Sequence, residues 1–97
     1  MGNRIRKIMR FYGYVQGVGF RWRAIQAARA AGVTGWVRNR YDGSVSMEIQ
    51  GSEEQINAVI QMITRSPYIE ITKTYSKTIP VKEDERDFTV KDSEWHD

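Results

Sequence analysis

The stretch GYVQGVGFR, Gly13 to Arg21, contains two closely spaced glycines followed by an arginine. Glycine has no Cβ, so backbone N–H groups near Gly17 and Gly19 could converge on one point. Where such a loop leads into a helix, the first N–H groups lack partners and the helix dipole adds positive charge. The Arg21 guanidinium could hold two oxygens of the same anion. The stretch therefore predicts a cradle for a small phosphate-like anion, and a tight turn followed by a solvated arginine is the alternative interpretation.

Other chemistries are excluded or poorly supported by this sequence. It has no cysteine, which rules out disulfides, thiol catalysis and cysteine metal sites. The glycine pattern lacks the third glycine of a dinucleotide-binding loop, and no Gly-Lys pair followed by Ser or Thr completes a nucleoside-triphosphate loop. His96 is the one histidine and stands next to the last residue, where a chain end fixes geometry poorly. A catalytic or metal-binding role for His96 is therefore not expected.

Hydrophobic periodicity predicts the order β-α-β-β-α-β, with a possible short fifth strand. Apolar residues alternate in the predicted strands and recur at helical spacing in the predicted helices. Ser52 and Gln55 form a capping box before the second helix, and Gly32 suits the end of the first. The predicted strands are KIMRFYGYV (7–15), TGWVRN (34–39), SVSMEIQ (44–50), YIEITKTYSKTI (68–79) and DFTVK (87–91), and the predicted helices are RWRAIQAARAAG (21–32) and GSEEQINAVIQMITR (51–65).

This order is typical of the ferredoxin-like α+β fold, in which two helices cover one face of an antiparallel sheet. The residues expected to face the helices are Met9, Phe11, Val15, Val45, Met47 and Ile49. No linker or internal repeat divides the chain, so we predict a single domain over residues 1–97, with a loosely ordered tail from about residue 92 to 97. The charged segment Lys82–Asp87 is predicted to be a loop, and no role can be assigned to it.

The residues of two motifs resemble the signature motifs of one known family. GYVQGVGFR is similar to the acylphosphatase signature Gly-x-Val-Gln-Gly-Val-x-Phe-Arg, and GWVRNRYDGSV (35–45) is similar to the second signature of that family. The resemblance covers nearly the whole chain, from about Ile8 to Val90. It implies a ferredoxin-like enzyme that hydrolyses acyl phosphates to a carboxylate and inorganic phosphate, with no metal ion and no organic cofactor.

The resemblance also implies the roles of individual residues. Arg21 and Asn39 would be the catalytic residues, Arg21 binding the phosphoryl group and Asn39 orienting the attacking water. The residues expected to bind the substrate phosphate are Gln16, Gly17, Val18, Gly19, Phe20 and Arg21. Ala24 departs from the family pattern, since many members have a threonine there, and we expect this change to alter packing or rate without removing activity.

Charge and composition limit the classes of partner that this protein could bind. The formal net charge of +3 favours anions weakly and does not require nucleic acid. We expect the basic N-terminal residues, Arg6 among them, to be solvated. No apolar run approaches the length of a membrane span, and we expect no signal peptide at the start. We therefore expect a cytoplasmic monomer whose partners are an acyl phosphate and inorganic phosphate, the latter as product and inhibitor, with no nucleic acid and no membrane.

Two other functions stay open at the level of sequence. A domain of this fold could be a catalytically degenerate binding or regulatory module, because fold alone does not fix function. It could also be an RNA-binding module, which would expose aromatic side chains on the central strands of the sheet.

Overall fold

The structure is a computed structural model that describes residues 3–95, and its seven elements follow the predicted order. No helix among these residues is long and apolar enough to cross a membrane. The elements are β1 (Ile5–Tyr14), α1 (Phe20–Ala31), β2 (Thr34–Asn39), β3 (Val45–Gly51), α2 (Glu53–Thr64), β4 (Glu70–Ile79) and β5 (Phe88–Val90).

The five strands form one sheet in the order β4-β1-β3-β2-β5. The neighbours among β1 to β4 pair antiparallel, with Met9 opposite Met47 in the central pair. β5 pairs with β2 in the parallel direction. The predicted antiparallel arrangement therefore holds for four strands. The sheet as a whole is mixed, because the chain crosses from β4 at one edge to β5 at the other.

Both helices pack on one face of the sheet and enclose the hydrophobic core. The residues predicted to face the helices are all buried, as are three alanines of α1 and the side chains of Ile56, Val59 and Ile63 in α2. Complete burial of one large aliphatic side chain contributes about 1.5–3 kcal/mol, so this layer dominates the stability. The predicted capping box is confirmed, since Ser52 Oγ accepts from Gln55 N at 3.1 Å and Gln55 Oε1 accepts from Ser52 N at 2.8 Å.

Arg6 lies in a buried ion cluster on the sheet face opposite the helices. Its side chain is 0% exposed, so the expectation that it would be solvated is wrong. Its Nε donates to Glu48 Oε1 at 2.8 Å, and its Nη1 donates to Glu85 Oε1 at 2.7 Å. The two carboxylates come from β3 and from the segment before β5, so sequence patterns near Arg6 could not reveal them.

The charged segment Lys82–Asp87, which had no predicted role, covers this cluster. Its first residue pairs with Gln50 in both directions: Lys82 N donates to Gln50 Oε1 at 2.8 Å, and Gln50 Nε2 donates to Lys82 O at 2.9 Å. Glu85 follows and reaches Arg6. The segment is therefore attached to the sheet before the chain enters β5.

The pKa values of Arg6 and Glu85 both shift in the direction that favours the charged form of the side chain. Burial alone would lower the pKa of Arg6, but the hydrogen bonds and charges of Glu85 and Glu48 outweigh burial and raise it. Burial alone would raise the pKa of Glu85, but the surrounding polar and charged groups outweigh burial and lower it, with the hydrogen bond from Arg6 first among them. Loss of one partner would leave buried charge without full compensation, which is strongly destabilising.

We expect Glu85→Gln to lower the free energy of unfolding by about 1–3 kcal/mol at neutral pH, the scale of a lost hydrogen bond to a charged group. The pKa of Glu85 is depressed in the folded protein, so its contribution is complete above the unfolded pKa of about 4.3. The contribution is lost as the pH falls through the folded value. Urea unfolding as a function of pH should therefore show the two proteins converging in acid.

Glu83→Gln is the matched control, because Glu83 pairs with Arg4 at the surface and is 83% exposed. Exposed ion pairs contribute about 0–1 kcal/mol, so this variant should stay close to wild type at every pH. Equal losses in both variants would contradict the importance of the buried pair.

Candidate functional site

The glycine loop joins the end of β1 to the start of α1, as the sequence predicts. Gly17 has φ 73°, and Gly19, the residue that precedes the helix, has φ 83° and ψ 17°. A Cβ added at either position would meet no atom within 4 Å. The left-handed backbone conformation, and not crowding, is therefore the reason for glycine at both positions.

The backbone amides of this loop are left without partners. The first bond of the helix runs from Arg23 N to Gly19 O at 2.9 Å. Within residues 3–95, the amides from Gly17 to Trp22 donate to no backbone or side-chain acceptor. No side chain caps the helix either. These N–H groups and the positive end of the helix dipole together suit an anion.

A cavity of about 350 Å³ opens at this helix start, and it brings together Arg21 and Asn39. Its lining combines the polar groups of the loop and of these two side chains with apolar side chains that include Trp22, Ile25 and Val90. The full lining consists of Val15, Gly17, Gly19, Phe20, Arg21, Trp22, Ile25, Asn39 and Val90.

Asn39 enters the site from the end of β2. Strand alternation turns it toward the helices, and it is buried. Its backbone oxygen accepts from Glu94 N at 3.2 Å. Its carboxamide has no hydrogen-bond partner among residues 3–95, although it lines the cavity. A carboxamide can donate and accept together, so this group could orient a water or a ligand oxygen.

Gln16 contacts the turn between β2 and β3. Its Nε2 donates to Arg40 O and to Ser44 O, both at 2.8 Å. The side chain therefore fastens the glycine loop to the turn that follows Asn39. Gln16 and Val18 do not line the cavity, whereas the other predicted phosphate-binding residues do.

Asp42 lies in the same turn and accepts hydrogen bonds within it. Hydrogen bonds from the Ser44 side chain and backbone hold the pKa of Asp42 below its usual range. A carboxylate occupied in this way stabilises the turn and is a poor general base.

Ser93 is a residue of the site that sequence reasoning missed. Arg21 Nη1 donates to Ser93 Oγ at 3.4 Å, and Ser93 is 9% exposed. Residues 92–94 contact β2 and Arg21. The loosely ordered tail expected from about residue 92 to 97 stays a prediction. A lone serine after a short strand carries no local signal of such a contact. His96 lies outside the described residues.

Residues 3–95 contain no group of three or more histidine, cysteine, aspartate or glutamate side chains that could hold a metal ion. The Arg21 guanidinium and the amides at the start of α1 give the cavity positive charge. Such an arrangement can bind a tetrahedral oxyanion and place a carboxamide beside it.

Comparison with known proteins matches most of the chain to one family. The acylphosphatase family model matches residues 7–90. An acylphosphatase of Thermococcus kodakarensis is 48% identical over 64 residues, which are 66% of this chain and 70% of that relative. The crystal structure of an acylphosphatase from Bacillus subtilis has a TM-score of 0.80 and 28% identity, and the match covers 89% of this chain and 97% of that one. Full-length HypF, in a phosphate- and nucleotide-bound form, has a TM-score of 0.82 and 26% identity over 97% of this chain and 13% of its own.

We expect Gly19→Ala to weaken the binding of inorganic phosphate about tenfold, the scale of losing one hydrogen bond to a charged group. An alanine strains the left-handed conformation, and relief of that strain moves the amides. Isothermal titration with phosphate measures the effect.

Gly32→Ala is the matched control, because Gly32 has φ 79° and ψ 24° at the other end of the same helix. Both variants should lose about 1–2 kcal/mol of stability, since each puts an L-residue in the left-handed region. Only Gly19→Ala should change phosphate affinity. Equal affinities in both variants would show that the loop does not hold the anion.

Proposed function

The chain belongs to the acylphosphatase family, and from that premise we propose how its own residues hydrolyse an acyl phosphate to a carboxylate and inorganic phosphate. One observation carries the proposal: a single cavity is lined by the unpaired amides of the glycine loop, by Arg21 and by Asn39. Each of these groups has a separate task in the reaction.

The phosphoryl group occupies the start of α1. Amides between Gly17 and Trp22 donate to its oxygens, and the Arg21 guanidinium holds them from the side. These groups become more favourable as charge spreads over the equatorial oxygens in the transition state. The groups are in place before substrate binds, so little reorganisation is required during the reaction.

Asn39 orients the attacking water. The water oxygen attacks phosphorus, the bond from phosphorus to the acyl oxygen breaks, and the acyl group leaves as a carboxylate. A carboxylate is a good leaving group and requires little help from a general acid. Asn39 is not a strong base, so the proton of the water passes to a phosphoryl oxygen of the substrate. Positioning and charge stabilisation then supply most of the catalysis, with no cofactor required.

A single chain provides every group in this proposal, which supports a monomeric enzyme formed by one domain. Inorganic phosphate, as the product, should occupy the same loop and compete with substrate. The cytoplasmic location expected from the sequence stays a prediction.

A binding module is the second candidate, because the fold matches only 13% of the larger HypF chain. Such a module would hold phosphate without turning over an acyl phosphate. The combination of a free Asn39 carboxamide with the loop favours the enzyme. Turnover of benzoyl phosphate in the presence of EDTA separates the two candidates directly.

We expect Arg21→Ala and Asn39→Ala each to reduce kcat/KM for benzoyl phosphate about 100-fold or more, the scale of removing one positioned electrostatic group. Arg21→Ala should also weaken competitive inhibition by inorganic phosphate, because it removes charge from the binding site. Asn39→Ala should leave that inhibition nearly unchanged, because its role is toward the water.

Arg29→Ala is the control for loss of a positive charge, since Arg29 is exposed in the last turn of α1, at the opposite end of that helix from the glycine loop. It should match wild type. Folded Arg21 and Asn39 variants with wild-type turnover would overturn the assignment of the site.

We assign contact with the acyl group to the apolar side chains that line the cavity. Trp22 is 66% exposed and lines the cavity together with Ile25 and Val90. An aromatic acyl group could cover this surface, whereas an acetyl group is too small to do so. Aromatic contacts of this kind contribute about 0.5–1.5 kcal/mol beyond the area that they bury.

We therefore expect Trp22→Ala to lower kcat/KM for benzoyl phosphate about 10-fold, which corresponds to about 1.4 kcal/mol. The kcat/KM for acetyl phosphate should change much less. Tyr41→Ala is the matched control, because Tyr41 is an exposed aromatic residue that does not line the cavity. The same loss with both substrates would contradict a contact with the acyl group.

A further inference from the structure

We propose that residues 91–94, here named the C-terminal clamp, position the two catalytic residues, and that Ser93 is the positioning residue for the Arg21 guanidinium. This inference rests on the proposed function, because it presupposes that Arg21 binds the phosphoryl group. It assigns a task to a segment that lies outside both sequence motifs of the family.

The clamp continues the parallel pairing of β5 with β2 toward the site. β5 pairs with β2 up to Val90 opposite Val37. Beyond β5, Lys91 N donates to Val37 O at 2.9 Å, and Glu94 N donates to Asn39 O at 3.2 Å. The clamp therefore follows β2 as far as Asn39, one of the residues that line the cavity. It holds the backbone of Asn39 from the side opposite β3.

Side chains fix the clamp on both sides of Ser93. Before it, Arg38 Nε donates to Asp92 O at 3.1 Å. After it, Glu94 Oε1 accepts from Tyr41 N at 2.6 Å. The other oxygen, Glu94 Oε2, lies 3.4 Å from Arg40 Nη2. Because the clamp is held at both ends, the Ser93 hydroxyl has a defined position.

That position is beside the Arg21 guanidinium. A long arginine side chain has about 2 kcal/mol of rotamer entropy, so it requires a contact that selects one orientation. Ser93 Oγ accepts from Nη1 at 3.4 Å, and the other guanidinium donors remain available to a phosphoryl group.

A neutral hydroxyl suits this task better than a carboxylate would. Among residues 3–95, no Asp or Glu forms an ion pair with Arg21. A carboxylate next to the guanidinium would repel the substrate phosphate and neutralise the charge that attracts it. The hydroxyl orients the guanidinium while its full positive charge remains directed at the substrate.

We test the proposal with Ser93→Ala, measuring phosphate affinity, KM and kcat with benzoyl phosphate, and thermal stability. A neutral hydrogen bond contributes about 0.5–1.5 kcal/mol, so phosphate affinity should fall about 2- to 10-fold and kcat/KM should fall by a similar factor. Ser93→Thr keeps the hydroxyl and should restore most of both. Ser76→Ala removes an exposed serine of β4, remote from the site, and should match wild type.

A double-mutant cycle separates positioning from a general structural role. In an Arg21→Ala background, Ser93→Ala should cause no further loss of phosphate affinity, because the group that it orients is absent. An equal loss in both backgrounds would show that Ser93 acts independently of Arg21 and would overturn the inference.

The same measurements distinguish this inference from the proposed function. Wild-type phosphate affinity in Arg21→Ala would show that the proposed site itself is wrong. A large loss in Arg21→Ala together with wild-type behaviour of Ser93→Ala would overturn only the role of the clamp. A loss in Ser93→Ala that Ser93→Thr does not rescue would also overturn it, because the hydroxyl would then not be the active feature.

Discussion

The unpaired backbone amides at the start of α1 are the feature on which the rest of this structure depends. N–H groups without acceptors are unfavourable unless water or an anion satisfies them. The left-handed conformations of Gly17 and Gly19 keep these amides in that state. A phosphoryl group would satisfy the amides, the helix dipole and the Arg21 guanidinium together. The geometry of the loop therefore supports the proposed phosphate ligand, and other elements hold the loop through contacts such as those of Gln16.

β2 does most of this positioning, because it has a neighbour on each side. On one side β3 aligns it, and on the other β5 and the C-terminal clamp continue along it to Asn39. The turn after β2 holds Gln16 and, through it, the glycine loop. Loop, carboxamide and guanidinium are thus connected to the end of a single strand. This explains how side chains from distant parts of the chain can share one small cavity.

The buried ion cluster on the opposite face holds the segment that precedes β5. A buried ion pair often gives little net stability, because desolvation offsets the attraction, but removal of one partner is costly. Here Arg6 holds Glu85 in the segment that leads from β4 to β5. Since the clamp follows β5, the cluster helps to determine where the clamp begins. The segment Lys82–Asp87, whose charged sequence is typical of a solvated loop, is therefore attached to the sheet that carries the site.

The sequence by itself determined the features that depend on near neighbours. Alternation and helical spacing predicted the seven elements, the core residues and the capping box, and the glycine motif predicted an anion cradle at the start of α1. Only the tertiary structure decided the burial of Arg6, the parallel pairing of β5, the attachment of Gln16 to a turn, and the contact of Ser93 with Arg21. The physical reason is distance along the chain: Arg6 and Glu85 are 79 residues apart, and Arg21 and Ser93 are 72. No local periodicity records a partner that only the folded chain brings into contact.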